Sequence, residues 1–271
     1  MKVAIIAAAG ISARFNKDIS ETEKKLKVIF YDDNPRETLL YNLVDKCSYA
    51  DRIVIVGGYK FEELNDYLND DGIISPDIRN KITLVKNIHY EDLASGYSFY
   101  LGLCEAYGLQ KTDNKNCIFG VPEEILFVEG DLDVDSYSFE KIKESKLSVL
   151  SYNHESIYAN KAVVLYRNEE GRYKYAFNSS HGLLRIEEAF SVILNSGQIW
   201  KFKECEALKK ATILFGEGNK DGTNLEIIQN YLDRVDYNEI ELLPIERWTN
   251  CNTREDYQMI KKYWENDNTG R

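Results

Sequence analysis

Two short runs of consecutive apolar residues lie near the N-terminus, and each run ends in small residues and glycine. The first run covers residues 3–8, and the second covers residues 53–56 and is followed by Gly57 and Gly58. Runs of this length are typical of parallel strands that are buried on both faces of a sheet. Between them, residues 39–44 space their apolar positions as a helix does. This segment therefore predicts a β-α-β unit.

The alternation of strand and helix patterns continues through the first half of the chain. Residues 82–85 and 125–128 predict two more buried strands, and residues 61–68 and 96–107 predict the helices that precede them. A regular alternation of this kind indicates an α/β fold with a doubly wound, mostly parallel central sheet. Ligands of such sheets bind at the carboxyl ends of the strands, so the residues that follow the strands are the first candidates for a site.

The pattern changes after Asp135, where strands and helices no longer alternate regularly. The polar segment 167–172 separates two strand patterns and predicts a hairpin. The predicted strands of this half are residues 148–152, 162–166, 173–177, 199–202 and 240–243. The predicted helices are residues 186–194, 225–232 and 254–264. This half therefore predicts a mixed α+β lobe.

The charge balance and the cysteines exclude some classes of protein. The chain has 34 Lys and Arg against 45 Asp and Glu, a net charge of −11, which disfavours general binding to nucleic acid or to an anionic membrane surface. No apolar run approaches the roughly 20 residues needed to span a bilayer. The cysteines are scattered without metal-binding spacing, so we expect reduced thiols and a cytoplasmic protein. They are Cys47, Cys104, Cys117, Cys205 and Cys251.

Small residues and one arginine follow the first predicted strand. Ala8, Ala9, Gly10 and Ser12 leave room for backbone N–H groups to approach a phosphate chain, and Arg14 supplies a cation with a fixed fork of donors. The segment lacks the G-K-[ST] sequence of a P-loop and the third glycine of a dinucleotide fingerprint. It predicts a phosphate-binding loop, with tight packing between strand and loop as the alternative.

A group of lysines follows this loop. Lys24, which is followed by Lys25 and Lys27, could return over the loop and neutralise an α-phosphate as it is attacked. The alternative is a solvated run of charges.

Acidic residues come directly after the buried run of residues 125–128. A carboxylate at the carboxyl end of a strand, as Asp131 would be, is well placed to hold Mg²⁺ against a triphosphate. The alternative is a surface turn rich in aspartate, which is all that we expect of Asp133 or Asp135 on their own.

In this order, the loop, the lysine and the Gly-Asp pair after the fourth strand resemble the nucleotidyltransferase superfamily, in particular its sugar-phosphate nucleotidyltransferases and phosphocholine-type cytidylyltransferases. Residues 53–59, which include Gly58, are similar to the V-V-x-G-Y segment of the second strand. Residues 194–202 resemble the N-[ST]-G-I-Y-x-F acceptor strand, and residues 245–257 resemble the terminal W-x-x-[IV]-[DN]-T-x-E-D-[LY] segment. The resemblance covers nearly the whole chain and implies a Rossmann-like, nucleotide-diphospho-sugar transferase-like fold.

The resemblance also implies roles for individual residues. The loop after the first strand would wrap a triphosphate, and Arg14 and Lys24 would stabilise the transition state. Asp131 and Asn252 would hold Mg²⁺, although many relatives have aspartate where this chain has Asn252. Proline usually precedes the catalytic lysine, whereas Glu23 precedes Lys24 here. The choice among the three lysines of this segment therefore stays open.

Residues 87–103 lie where the superfamily reads the base, and they are similar to phosphocholine and phosphonate cytidylyltransferases. Backbone groups at Ser95 and Gly96, together with the Ser98 hydroxyl near the start of a helix, could satisfy the edge of a pyrimidine. The alternative for Ser98 is an ordinary polar residue in the first turn of a helix. The resemblance favours CTP over UTP or dTTP, and GTP is less favoured.

Three residues of the second half are candidates for binding the acceptor. His181 lies in the polar segment 178–182, and Asn195 lies in the segment that resembles the acceptor strand. Trp200 could offer a cation–π surface to the ammonium group of phosphocholine or aminoethylphosphonate. The alternatives are an exposed histidine in a capped loop and an aromatic residue of the core.

Together these features predict a single domain over residues 1–271, with a nucleotide-binding half (1–135), an acceptor-binding lobe (136–245) and a segment, 246–265, that returns to the metal site. We expect a Mg²⁺-dependent cytidylyltransferase that joins CTP to a small phosphorylated or phosphonate acceptor, releases pyrophosphate and serves cell-surface polysaccharide biosynthesis. We expect no nucleic-acid or membrane partner, and the chain could form a homodimer. The alternatives are a sugar-1-phosphate uridylyl- or thymidylyltransferase and a catalytically weak, nucleotide-binding regulatory protein.

Overall fold

The computed structural model describes residues 1–109, 120–157, 163–177, 185–218 and 220–269. Residues 266–269 are described by their backbone alone. The strands in these ranges are β1 (Lys2–Ala8), β2 (Arg52–Gly57), β3 (Ile82–Lys86), β4 (Glu124–Glu129), β5 (Leu132–Val134), β6 (Ser148–Asn153), β7 (Val163–Asn168), β8 (Tyr173–Phe177), β9 (Phe190–Phe202), β10 (Ile240–Ile245) and β11 (Trp248–Asn250). The helices are α1 (Leu39–Lys46), α2 (Phe61–Asn69), α3 (Pro76–Arg79), α4 (Ser95–Tyr107), α5 (Ser136–Glu144), α6 (Cys205–Glu217), α7 (Asn224–Leu232) and α8 (Arg254–Thr269). None of these helices combines the length and the apolar character of a membrane-spanning segment. The predictions on Cys117 and His181 fall outside the described residues.

The strands form one large mixed sheet and a small antiparallel ribbon of β5 and β11. The main path of the large sheet is β10-β6-β9-β4-β1-β2-β3, and the β7-β8 hairpin pairs with β9. Strand β1 is parallel to β2 and β4, and β2 is parallel to β3, whereas β9 is antiparallel to β4 and β6. This topology confirms the predicted α/β fold with a mostly parallel central sheet. It also brings the carboxyl ends of β1 to β4 to one edge of the sheet.

Helices cover both faces of the sheet, so the apolar core has two main layers. On one face, α4, α6 and α7 pack against strand residues that include Phe127 and Trp200, whose ring centroids are 5.3 Å apart. On the other face, α1, α2 and α5 pack against β1, β2 and β4. A third cluster joins α8 to the loop after β1 through Tyr257 and Phe15. Because both faces are covered, the central strands are apolar on both sides, in agreement with their continuous apolar runs.

The helix predicted at residues 186–194 is wrong, because residues 190–194 belong to the long strand β9. Their apolar positions match a helical period over a short window, and so short a window does not distinguish a helix from a strand. Long-range pairing decides the structure here, since Leu194 lies opposite Leu165 of β7. The sequence pattern also does not predict α5 or α6.

Asp133 and Asp135, for which we expected only a surface turn, have structural roles. The Asp133 carboxylate is buried, accepts a hydrogen bond from Trp264 Nε1 at 2.8 Å and forms an ion pair with Arg247. Asp135 caps α5 by accepting a hydrogen bond from the Ser138 N–H at 2.8 Å. Burial acts to raise the pKa of Asp135, but the hydrogen bonds from Ser138 and Arg247 outweigh it and leave the pKa lowered. Both residues therefore hold the ends of neighbouring elements together.

Candidate active site

A cavity of about 360 Å³ lies at the edge of the sheet where β1 and β4 end. Its wall comes from the loop after β1, the start of α4, the end of β4 and the segment before α8. The residues predicted for the site that line this cavity are Ala8, Ala9, Gly10, Ser12, Arg14, Ser95, Ser98, Asp131 and Asn252. The fold thus brings separately predicted parts of the site into one place.

The loop after β1 is fixed by side-chain contacts and includes left-handed backbone positions. Ser12 has a φ of 56°, and its Oγ accepts a hydrogen bond from the Lys27 N–H at 3.2 Å. Asn16, which the sequence motifs do not single out, donates from Nδ2 to the Ser12 carbonyl at 3.1 Å and to the Lys25 carbonyl at 2.8 Å. A Cβ placed on Gly10 would have no neighbouring atom within 4 Å. The loop therefore has a defined shape, with open space at Gly10.

Of the three lysines that follow the loop, Lys27 reaches the cavity. Its Nζ donates to Asp131 Oδ2 at 2.6 Å and to the Cys251 carbonyl at 3.1 Å. Leu26 and Val28, on either side of it, are buried in the core. Because both neighbours are held by this packing, the backbone directs the Lys27 side chain to the cavity.

Lys24, the lysine favoured by the motif spacing, does not line the cavity. Its Nζ forms an ion pair with the exposed Glu21, and Lys25 is exposed as well. Arg14, by contrast, lies in the cavity wall, and within the described residues its guanidinium has no hydrogen-bond or ion-pair partner. Among the described residues, Arg14 and Lys27 therefore supply the positive charges of the cavity wall.

Asp131 and Asn252 lie far apart in the sequence and are brought together by the β5-β11 ribbon. In the ribbon, Leu132 pairs with Asn250. The Cys251 N–H then donates to the Asp131 carbonyl at 2.8 Å. These backbone contacts place the two side chains in the wall of the same cavity.

The Asn252 side chain has an oxygen suited to a cation. Asp256 Oδ2 accepts hydrogen bonds from the N–H groups of Asn252 and Thr253, both at 2.8 Å, so the backbone is fixed here. Asn252 Oδ1 is buried and has no hydrogen-bond partner in the described part of the chain. Within that part, no group of three or more His, Cys, Asp or Glu could hold a metal by itself. One carboxylate and one amide oxygen suit Mg²⁺, which commonly completes its coordination with substrate phosphates and water.

Glu129, the last residue of β4, lines the cavity, although the motifs do not single it out. Its Oε1 accepts a hydrogen bond from Asn224 Nδ2 at 2.6 Å. Burial, together with the nearby charge of Asp131, raises the pKa of Glu129 to about 8, against the opposing effects of Lys27 and Asn224. A signal is present in the sequence, because Glu129 directly follows the apolar run of a central strand.

Ser98, in the first turn of α4, is buried in the cavity wall. Its Oγ accepts a hydrogen bond from Asn87 Nδ2 at 2.9 Å. Asn87 is itself fixed, because its Oδ1 accepts from the His89 N–H at 2.8 Å and its own N–H donates to the Gly57 carbonyl at 2.7 Å. Since the Ser98 oxygen accepts from Asn87, its proton is available to another acceptor. Asn87 is the first residue of the segment predicted to read the base, but the motif does not single it out, although it directly follows β3 at the carboxyl edge of the sheet.

Gly58 and Gly96 do not line the cavity, and their contacts are with neighbouring parts of the chain. A Cβ on Gly58 would lie 2.5 Å from the Cβ of Tyr90, so this glycine allows Tyr90 to form part of the cavity wall. A Cβ on Gly96 would overlap the Gly222 carbonyl, and the Gly96 N–H already donates to that oxygen at 3.2 Å. The Gly96 N–H is therefore engaged within the chain, and a contact between the Gly96 backbone and a base stays a prediction.

Trp200 and Asn195, two candidates for binding the acceptor, also lie away from the cavity. Trp200 is 1% exposed, and its Nε1 donates to the Tyr175 hydroxyl at 2.7 Å. The expectation that Trp200 offers a surface to a substrate is wrong, because its ring is enclosed by the core. Asn195 donates from Nδ2 to Asn153 Oδ1 at 3.0 Å, and its role in acceptor binding stays a prediction.

Several solved structures of nucleotidyltransferases share this fold. The inositol-1-phosphate CTP transferase from T. maritima is 20% identical, with 97% of this chain and 96% of that chain covered and a TM-score of 0.62. A UDP-glucose pyrophosphorylase in complex with UDP-glucose is 14% identical, with 98% and 99% covered and a TM-score of 0.64. The CTP:phosphocholine cytidylyltransferase from Streptococcus pneumoniae is 14% identical, with 97% and 99% covered and a TM-score of 0.57. At these identities the likeness shows the fold, and it confirms the predicted fold class.

Comparison with curated proteins gives no significant match in sequence. One family model matches residues 23–264, which is most of the chain. The chain therefore belongs to the family described as Domain of unknown function (DUF6564), and its fold is that of the nucleotidyltransferases.

Proposed function

We propose that this protein is a nucleotidyltransferase that joins a nucleoside triphosphate to a small phosphorylated or phosphonate acceptor and releases pyrophosphate. The observation that carries the proposal is the cavity in which Arg14, Lys27, Asp131 and Asn252 meet. Two cations, a carboxylate and an amide oxygen are groups that suit a triphosphate and its Mg²⁺. Structural neighbours named for CTP and UDP-glucose reactions of this type support the proposal.

In this proposal, the loop after β1 holds the triphosphate. Backbone N–H groups around Gly10 and Ser12 donate to phosphate oxygens, and the guanidinium of Arg14 binds them from the cavity wall. Negative charge accumulates on the leaving pyrophosphate, so fixed cations at this position lower the barrier. We assign to Lys27 the role at the α-phosphate that the motif spacing assigned to Lys24.

Asp131 and Asn252 would hold Mg²⁺, which when bound neutralises phosphate charge and orients the triphosphate. The acceptor attacks through a phosphate or phosphonate oxygen that is already anionic, so this chain needs no general base. Its residues position the substrates and neutralise charge. Lys27 and Arg14 bind and orient the phosphates, and Asp131 holds the Lys27 side chain in place.

We further propose that CTP is the nucleotide. The Ser98 hydroxyl, oriented by Asn87, can donate a hydrogen bond to the edge of a pyrimidine. Cytosine presents an acceptor at N3, whereas uracil and thymine carry a proton there. A donor at Ser98 that faces N3 would therefore favour cytosine.

The same proposal assigns a function to each segment of the chain and a location to the reaction. Residues 1–135 would bind the nucleotide, residues 136–245 the acceptor, and residues 246–265 would complete the metal site. The β5-β11 ribbon, which holds Asn252 beside Asp131, supports the last assignment. The reaction would take place in the cytoplasm and supply an activated head group for cell-surface polysaccharide.

Pyrophosphate release tests this function. Purified protein and Mg²⁺ are incubated with CTP, UTP or dTTP, each with phosphocholine, aminoethylphosphonate, inositol 1-phosphate or glucose 1-phosphate. We expect release only when a nucleotide and an acceptor are both present, fastest with CTP, and none from Asp131→Ala, although this variant keeps its fold. Absence of release from every combination, or equal release without an acceptor, would contradict the proposal.

A further inference from the structure

One carboxyl group in the cavity wall has no role in the transfer described above. Glu129 ends β4, and Gly130 separates it from Asp131. Its register partner in β1 is Ala7, so Glu129 lies beside the start of the phosphate-binding loop. The position is therefore between the loop, the proposed metal ligands and the start of α4, which all line the same cavity.

Glu129 is held in one orientation by a buried neighbour from the second half of the chain. Asn224, the first residue of α7, donates from Nδ2 to Glu129 Oε1 at 2.6 Å. The other amide atom, Asn224 Oδ1, lies 3.5 Å from the Ser95 hydroxyl at the start of α4. In the described part of the chain, Glu129 Oε2 has no such partner. The contact with Asn224 thus leaves one carboxyl oxygen for a ligand in the cavity.

The parts of a nucleotide differ in what they can offer to this oxygen. Phosphates carry acceptors and negative charge, and the cations Arg14 and Lys27 are the groups in the cavity wall that suit them. Ser98 is the residue proposed above to bind the base. The ribose joins the base to the α-phosphate and carries hydroxyl donors, and carboxyl groups that follow a strand of an α/β sheet hold ribose hydroxyls in this way.

We propose that Glu129, positioned by Asn224, binds a ribose hydroxyl and makes the site selective for ribonucleotides over 2′-deoxyribonucleotides. This inference rests on the proposed nucleotidyl transfer and narrows its substrate class, because it disfavours dTTP. A deoxynucleotide would leave the free oxygen of Glu129 enclosed without a donor. One hydrogen bond of this kind corresponds to a preference of about tenfold.

The test is the binding of CTP and 2′-deoxy-CTP, each with Mg²⁺, measured by isothermal titration calorimetry. The wild-type protein should bind CTP about tenfold more tightly than 2′-deoxy-CTP. Glu129→Leu should bind the two with nearly equal affinity, close to the wild-type affinity for 2′-deoxy-CTP. Asn224→Ala should reduce the preference to about threefold, because Asn224 acts through Glu129. Glu226→Gln, at an exposed position of α7, is the matched control and should keep the wild-type preference.

The outcomes separate this inference from the proposed function. Equal wild-type affinity for the two nucleotides, or a preference that survives Glu129→Leu, overturns the inference while leaving nucleotide binding in place. If the wild-type protein binds neither CTP nor UTP in either sugar form, the proposed function itself fails. Glu129→Met, which keeps nearly the same side-chain length, takes the place of Glu129→Leu if that variant does not fold, and the same equal affinity is expected of it.

Discussion

Lys27 Nζ lies 2.6 Å from Asp131 Oδ2, although the two residues are separated by 104 positions in the sequence. Their side chains are only 13% and 24% exposed, so water screens the pair less than it screens a surface ion pair. The contact joins the segment after the phosphate-binding loop to the carboxylate at the end of β4. A triphosphate bound in this cavity would therefore meet a cation and a metal-binding carboxylate at the same point.

Exchange of Lys27 tests which lysine serves the reaction. We expect Lys27→Ala to reduce kcat for pyrophosphate release by a factor of about 10² to 10³, because it removes a fixed positive charge at the reacting phosphate. Lys24→Ala is the matched control and should change kcat by less than about threefold, since Lys24 pairs with Glu21 outside the cavity. The reverse ranking of the two variants would return the role to Lys24.

Asn252 offers a test of the metal site. Asn252→Asp exchanges a neutral oxygen for a charged one, so we expect the Mg²⁺ concentration for half-maximal rate to fall several-fold. Asn252→Leu, which has no oxygen, should raise that concentration. The measurement is a Mg²⁺ titration of the initial rate at saturating nucleotide. An identical Mg²⁺ dependence in both variants and the wild type would show that Asn252 is not a ligand.

Ser98 should determine part of the preference for the base. Ser98→Ala removes the donor that Asn87 orients, and we expect CTP affinity to fall about fivefold while UTP affinity changes by less than twofold. Calorimetric titrations of both nucleotides in the presence of Mg²⁺ measure the two changes. Equal losses for CTP and UTP would mean that Ser98 does not distinguish the bases.

Lys201 is a buried cation whose removal should affect stability rather than the site. It is 1% exposed, and its Nζ donates to the carbonyls of Lys143 and Ser145 at 2.6 and 2.8 Å and lies 3.3 Å from Glu124 Oε2. Lys201→Ala would remove a buried cation together with its hydrogen bonds to the two carbonyls and would leave Glu124 with Lys203 as its cation, so we expect the free energy of unfolding to fall by about 3 kcal/mol.

Lys203→Ala is the control for that variant. Lys203 also contacts Glu124, at 3.2 Å, but its side chain is 31% exposed, so its removal should cost less than about 1 kcal/mol. Urea denaturation of both variants gives the two free energies. Equal losses would show that burial of Lys201 is not what makes its contacts matter.

The central sheet follows from local pattern, because strands that are buried on both faces must be apolar throughout. The exposed half of β9 has no such requirement, and the spacing of its apolar residues also matches a helical period. Pairing with β7 makes this segment a strand. Trp200 illustrates the same limit, since an aromatic residue looks alike in sequence whether it faces a ligand or, as here, Phe127 and Tyr175. Long-range packing decides such positions.

Motifs predict which types of residue form the site better than they predict which individual residues do. The loop and Asp131 could be predicted because small residues and an acidic residue follow apolar strands. The choice of Lys27 depends on the burial of Leu26 and Val28, which motif spacing does not contain. The contact that orients Glu129 comes from Asn224 of α7, 95 positions further along the chain, which no local motif contains.

The central claim is that this cavity binds a nucleoside triphosphate. Thermal unfolding in the presence of nucleotides tests this claim most directly. The wild-type protein is melted with Mg²⁺ and each of CTP, UTP, dTTP, GTP and ATP, next to the double variant Arg14→Ala and Lys27→Ala. A ligand at 100 times its Kd adds about 2.7 kcal/mol of stability, which corresponds to roughly 5 °C in Tm for a chain of this size. The account predicts this shift with CTP and its loss in the double variant. No shift with any of the five triphosphates, or the same shift in the double variant, would contradict it.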